Sequence, residues 1–167
     1  DTRSSKECYE MEERCSNLRE TSGNIAMPGF TAPKLLWIKN NEPEIFKKVD
    51  KVLLPKDYLR LRLSGEFVTD PSDASGTLWL DVKKRNWSEE LLDTTFLGIK
   101  NMPRIVEGSE SSGEVSKAIK EKFGFTHNVI IAGGAGDHAA GATGSGVISS
   151  SQAVLALGTS GVYFPPT

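Results

Sequence analysis

The chain has 167 residues, 38% of them hydrophobic and 25% charged, a balance that suits one folded domain and excludes a disordered chain. Lys and Arg number 20 against 22 Asp and Glu, and the resulting net charge of −2 leaves no electrostatic case for nucleic acid or an anionic membrane as partner. No apolar run approaches the roughly 20 residues that span a bilayer, and the polar opening DTRSSKECYEMEERC is not a signal peptide, so a cytoplasmic protein is expected.

Residues 4–18 read as a charged helix with Cys8, Met11 and Cys15 on one face. On one helix the two cysteines sit about 10 Å apart along the axis, beyond the reach of an unstrained disulfide, so two reduced thiols are expected. No Cys/His cluster has zinc-site spacing. After TSGNIAMPGF, Thr31 reads as the N-cap of a helix over APKLLWIKN, with Pro33 in its first turn. A second short helix is expected over PEIFKKV, and a third over YLRLRLS that Gly65 stops.

From Glu66 to Trp87 the chain takes on strand character. GTLWLDV alternates, placing Leu78 and Leu80 on one face and Trp79 and Asp81 on the other. Ser88 caps a helix over EELLDTT, residues 98–113 form a loop punctuated by Pro, Gly and Ser, and SKAIKEKFG is helical. From Asn128 the order becomes strand, turn, helix, turn, strand: NVIIAGG is a buried strand, DHAAGATGSG opens a helix, and AVLALGTSGVYF is two strands about a turn. The whole reads as an α/β fold with substantial helical additions. Trp37, Trp79 and Trp87 are assigned to packing, and His127 to a surface loop. The chain opens without Met and stops just after a strand that needs neighbours, so a segment of a longer protein is expected.

Charge distribution points to the chemistry. There is no Lys or Arg after Lys122, and after Glu121 the only carboxylate is Asp137. An exposed surface normally mixes charges, so residues 123–167 are expected to be buried or to line a pocket. Asp137 reads either as the N-cap of the helix after Gly136 or as a functional carboxylate at a strand-to-helix turn, where α/β folds place ligands. The two are compatible, because a helix N-terminus also keeps an aspartate ionised. Gly134-Ala135-Gly136-Asp137-His138-Ala139 fits a dinucleotide fingerprint in form, but the acidic ribose-binding residue about 20 positions on is missing. No Lys follows the glycines as a Walker A loop requires. Gly158-Thr159-Ser160-Gly161 reads either as an ordinary hairpin turn or as amides and hydroxyls that hold a phosphate oxygen. His138, beside Asp137, is either a polar filler or a contact to a hydroxylated ligand.

These residues carry a family likeness. GFTAPKLLWIKNN, residues 29–41, resembles the first signature of the FGGY carbohydrate kinases. NIAMPGFTAPKLLW, LLPKDYLRLRLSGEFVTDPSDASGTLWLDV, RNWSEELL, MPRIVEGSE and AGGAGDHAAGATGSGV together resemble the bacterial, xylulose-phosphorylating members along nearly the whole chain. Asp1-Thr2-Arg3 is similar to the end of the family's Trp-Asn-Asp-x-Arg element. The likeness implies an actin-like (ribonuclease H-like) α/β fold of two domains, truncated at both ends. Residues 1–148 would be the later part of the sugar-binding domain and 149–167 the first strands of the ATP-binding domain. It implies ATP and Mg2+ as cofactors and D-xylulose as substrate, phosphorylated to D-xylulose 5-phosphate. Ribulose, gluconate or glycerol kinases, or a non-catalytic sugar-binding module, are the alternatives, and a homodimer is among the assemblies allowed. By the same likeness Asp137 is the catalytic base and touches the sugar. His138 stands where these kinases carry a sugar-contacting Asn, and Gly158, Thr159 and Ser160 hold ATP phosphate. The first phosphate loop, with an Asp-x-Gly-Thr motif and a Mg2+-linked aspartate, would precede Asp1, and the adenosine site would follow Thr167.

Overall fold

The computed structural model describes residues 1–158 and 161–165. Helix α1 (Ser5–Arg14) turns Cys8 and Met11 inward, and Cys15 caps it. Both thiols are buried and unpaired, as their spacing requires, and burial pushes the pKa of each above the ordinary thiol value. Short helix α2 (Leu18–Ser22) ends on Gly23 in the left-handed region, and α3 (Thr31–Asn41) follows. Thr31 is the first helical residue and Phe30 the N-cap, one position earlier than the side-chain chemistry of Thr suggested. The PEIFKKV segment forms only one turn, α4 (Pro43–Phe46).

Helix α5 (Pro55–Ser64) begins with proline and ends on left-handed Gly65, as expected, but it is turned inside out. Asp57 and Arg60 are its buried residues, whereas Tyr58 and Leu59 are more than half exposed. Strand β1 (Val68–Thr69) leads into α6 (Pro71–Ser75), a helix absent from the reading of the sequence. Its N-cap is Asp70, whose carboxylate accepts from the amides of Ser72 and Asp73, with Pro71 at the first helical position. Aspartate followed by proline is a helix-start signal that the strand-like residues just downstream obscure.

The GTLWLDV strand shrinks to β2 (Leu80–Asp81). Leu78 has a φ of 71°, outside the strand region, so the pleat is broken and the predicted alternation fails. Leu78, Trp79, Leu80 and Asp81 are all buried, because both sides of this segment are covered. β2 pairs antiparallel with β3 (Asn86–Trp87), and Ser88 Oγ accepts from Leu91 N to cap α7 (Glu89–Asp93), as anticipated. The expected loop over residues 98–113 instead carries a 3-10 turn (Ile99–Asn101) and strand β4 (Arg104–Ile105), parallel to β1.

Strand β5 (Ser111–Glu114), helix α8 (Lys117–Phe123) and strand β6 (Ile130–Ala132) come next, with β5 and β6 antiparallel. Helix α9 (Asp137–Gly144) and the antiparallel hairpin of β7 (Val154–Leu157) and β8 (Gly161–Phe164) complete the chain. Strands β6 and β7 belong to different ladders, so the strand–helix–strand order from Asn128 does not make a parallel crossover unit. Of the described residues from 123 on, most are not buried (Ile130 is 66% exposed and Leu157 79%), although Gly136 to Ala139 and Phe164 line a cleft. Among the described residues these ladders are two-stranded, and the hydrophobic side chains of β6, β7 and β8 stay largely exposed, so lack of charge here marks apolar surface rather than core.

The core lies in the first two thirds of the chain. Met11, Leu18, Leu36, Leu78, Leu91, Leu92 and Met102 surround Trp79, which is fully buried. Trp79 Nε1 donates to Thr95 Oγ1 at 3.0 Å, and Trp87 Nε1 donates to Pro103 O at 2.7 Å, so both indoles pack with their polar edge satisfied. Thr95→Val in the full-length protein keeps the shape but orphans the Trp79 N–H. It is expected to cost about 1–3 kcal/mol in denaturant unfolding, whereas substitution of exposed Leu59 by Gln should leave the midpoint nearly unchanged.

Candidate active site

Two helix starts meet at one cleft. The cleft holds about 420 Å³ and is lined by Ser72 and Asp73 of α6, by Gly136, Asp137 and His138 at the start of α9, and by Phe164 of β8. Asn24, Phe30, Ser75, Gly76 and Ala139 complete its wall. The sequence-derived candidates Asp137 and His138 thus lie in one concave site, together with two residues, Ser72 and Asp73, that were not singled out.

Asp137 is not the N-cap. Gly136 occupies that position with extended dihedrals, and Asp137 is the first helical residue, its Oδ1 accepting, among the described residues, only from the neighbouring His138 amide at 2.8 Å. The capping alternative therefore fails, since no side chain caps α9. Both Asp137 and His138 are solvent-exposed on the cleft. His127 lies on the surface, with Nε2 3.3 Å from Thr126 Oγ1. Gly158 directly follows β7 and does not line the cleft, and Thr159 and Ser160 lie outside the described residues. In the hairpin Val154 pairs with Phe164 and Leu157 with Gly161.

The wall beneath Asp73 is built on a buried charge cluster. Lys56 Nζ lies 2.6 Å from Asp57 Oδ1, 2.8 Å from Asp70 Oδ1 and 3.0 Å from Asp73 Oδ2. Arg60 Nη1 donates to the same Asp57 oxygen at 3.0 Å and to Val68 O at 2.6 Å, while its Nη2 donates to Gly133 O. Asp57 is fully buried, Asp70 nearly so and Arg60 5% exposed. Burial pushes the Asp70 pKa up, but the Lys56 ammonium, the Ser72 hydroxyl and the Asp73 amide outweigh it and hold the carboxyl below its ordinary value. For Lys56 burial acts downward, and the three carboxylates together raise it. No sequence signal marks this cluster: KDYLR reads as one turn of surface helix, and only packing shows that its charged side faces inward.

The strand side of the turn is fitted tightly. A Cβ on Gly133 would run into the carbonyl oxygen of Glu107, and Gly134 has a φ of 81° that a side chain disfavours. Gly134 N donates to Gly108 O at 3.0 Å, and Gly133 N to Glu110 O at 2.8 Å. These glycines permit the chain to leave β6, cross the Glu107–Glu110 loop and start α9 at the cleft.

Comparison with known proteins adds the lineage. The model of the FGGY family of carbohydrate kinases, N-terminal domain, matches residues 1–144. The chain belongs to the FGGY family. It is 53% identical to the xylulose kinase of Escherichia coli (strain K12) over 164 residues, covering 98% of this chain and 34% of that protein. It superposes on a xyloylose kinase from Brucella ovis with a TM-score of 0.94 at 51% identity, covering 98% of this chain and 34% of the other. A gluconate kinase from Lactobacillus acidophilus superposes with a TM-score of 0.87 at 28% identity, over 96% of this chain and 33% of that one. The expected α/β sugar-kinase fold is thus present, and the chain spans about a third of the length of the FGGY relatives it matches.

The charge cluster makes a pH-dependent prediction for the full-length protein. Lys56→Met leaves Asp70 and Asp73 without their cation, while Asp57 keeps Arg60, and is expected to cost about 3 kcal/mol, the low end for a broken buried pair because Lys56 is partly exposed. In the parent, a depressed Asp70 pKa contributes stability that is present at neutral pH and lost as pH falls below about 4. In Lys56→Met the repelling carboxylates take up protons more readily than the unfolded chain, so stability should rise as pH falls from about 7 to 5. Urea midpoints across that range check the sign.

Proposed function

We propose that this chain forms part of an ATP-dependent kinase that phosphorylates D-xylulose at its terminal hydroxyl to D-xylulose 5-phosphate, with Asp137 as the proton acceptor. One observation carries the assignment of the base. Two carboxylates line the cleft, and Asp73 is held by Lys56 at 3.0 Å, whereas Asp137 forms no ion pair among the described residues. A carboxylate with an unshared lone pair at a concave site can take a hydroxyl proton; one clamped by an ammonium is a poorer acceptor. The sugar oxygen attacks the γ-phosphorus, the bond to the bridging oxygen of the β-phosphate breaks, ADP departs, and the hydroxyl proton passes to Asp137. Little covalent chemistry is asked of the protein beyond positioning and charge balance.

His138 supplies a ring that both donates and accepts hydrogen bonds beside that carboxylate, suited to a second sugar hydroxyl. Xylulose is favoured as substrate by the identity of 53% to the Escherichia coli xylulose kinase. The likeness to the Lactobacillus acidophilus gluconate kinase supports a second reading, in which the same wall serves another polyhydroxylated substrate. The match of the family's N-terminal domain to residues 1–144 supports placing residues 1–148 in the sugar-binding domain and 149–167 at the start of an ATP-binding one. Gly158, Thr159 and Ser160 would then meet the ATP phosphates. Among the described residues no group of three His, Cys, Asp or Glu side chains gathers in the manner of an all-protein metal cage.

In the full-length enzyme Asp137→Asn keeps the size of the side chain and disturbs no cap, so folding should persist while kcat drops by about 10²–10⁴-fold, the usual contribution of a positioned base. Near-normal xylulose-dependent ADP production by that variant would end the base assignment. His138→Ala should raise the sugar KM and loosen discrimination among ketoses and gluconate while leaving the ATP KM in place. An unaltered sugar profile would remove His138 from the substrate contacts.

A further inference from the structure

The segment that delivers Asp137 is built from residues that hold no conformation of their own. Gly133-Gly134-Ala135-Gly136 contains three glycines in four positions, and glycine loses more freedom on ordering than any other residue. Two side-chain contacts fix its ends, and both lead back to the same ammonium. At the start, Arg60 Nη2 donates to Gly133 O, and Arg60 shares Asp57 Oδ1 with Lys56. At the end, Gly136 N donates to Ser72 Oγ at 2.9 Å. Ser72 Oγ in turn donates to Asp70 Oδ2 at 2.5 Å, and the other Asp70 oxygen lies 2.8 Å from Lys56 Nζ.

Ser72 is the one joint of this chain that has no packing role. Its residue is exposed on the cleft wall, and the cap of its own helix comes from Asp70. Its hydroxyl proton is committed to a carboxylate whose charge Lys56 balances, which leaves its lone pairs directed at the Gly136 amide, adjacent to Asp137. A neutral hydroxyl polarised by an ionised carboxylate is a stronger acceptor than an isolated one.

We propose that Ser72 is a positioning residue for Asp137, fixing the N-cap amide of α9 through the Lys56–Asp70–Ser72 relay so that the carboxylate faces the sugar hydroxyl. The inference rests on the assignment of Asp137 as proton acceptor. Ser72 touches the reaction only through the backbone of Gly136.

The test is a double-mutant cycle on the full-length kinase, read by xylulose-dependent ADP production beside a thermal melt. Ser72→Ala should lower kcat about tenfold, the worth of one well-placed hydrogen bond, with the ATP KM and the melting temperature close to the parent. Ser72→Thr, which keeps the hydroxyl, should recover most of the loss. On an Asp137→Asn background, Ser72→Ala should cost no further turnover, because there is no proton acceptor left to misplace. Full turnover by Ser72→Ala, an equal loss on the Asp137→Asn background, or failure of Ser72→Thr to rescue would each overturn the proposal. Should Ser72→Ala misfold, Asp70→Asn breaks the relay one link earlier, and the same cycle with Asp137→Asn decides. If Asp137→Asn alone keeps its turnover, the base assignment is what has failed; if it loses turnover and Ser72→Ala does not, only the relay has.

Discussion

The ammonium of Lys56 sits among three carboxylates, and the geometry of the cleft descends from that arrangement. Moving any of these charges out of water alone would be costly, and together they are tolerable only because each carboxylate shares a cation and the guanidinium of Arg60 is occupied by backbone oxygens. The cluster ties α5 to α6 through Asp57 and Asp70, and ties both to the strand-to-helix turn through Gly133 O. A hydrophobic contact would bury similar area without direction. Here direction matters, because what is being held is a run of glycines with little side-chain surface to pack.

The same cluster sorts the two acids of the cleft. Asp73 and Asp137 lie on one wall, yet only Asp73 is within reach of Lys56. One carboxylate is thereby held in the architecture, and the other stands on the cleft with no ion pair among the described residues. Two identical side chains acquire different roles from the placement of a single amine, as environments do wherever paired acids divide a task.

The apolar, uncharged stretch after Lys122 has a different logic. Ile130, Leu155, Leu157 and Tyr163 are largely exposed, as is Ile148 between α9 and β7, and among the described residues the ladders of β6, β7 and β8 have two strands each. Such surfaces bury little against their own chain. The well-packed core around Trp79 instead belongs to residues 11–102, and the start of α9 is tied to that side by the Ser72–Gly136 hydrogen bond and by the close approach of Gly136 to the Asp73 backbone.

Local chemistry was enough to place several elements: the proline that starts α5, the left-handed glycines that end α5 and α8, the Ser88 cap of α7, and the inward stripe of Cys8, Met11 and Cys15. The isolation of Asp137 in an uncharged segment, and its neighbourhood with His138, were likewise legible, because charge is written residue by residue. What tertiary structure alone decided was which side of each element faces inward. Helix α5 buries Asp57 and Arg60 instead of Leu59, Leu78 leaves the strand region and is buried regardless, and the Asp70-capped α6 brings Ser72 within 2.9 Å of Gly136, 64 positions away. Propensity and periodicity describe one segment against water; a charge can prefer the interior, and a hydroxyl can find an amide that distant, only once other segments have supplied the partners that make burial affordable.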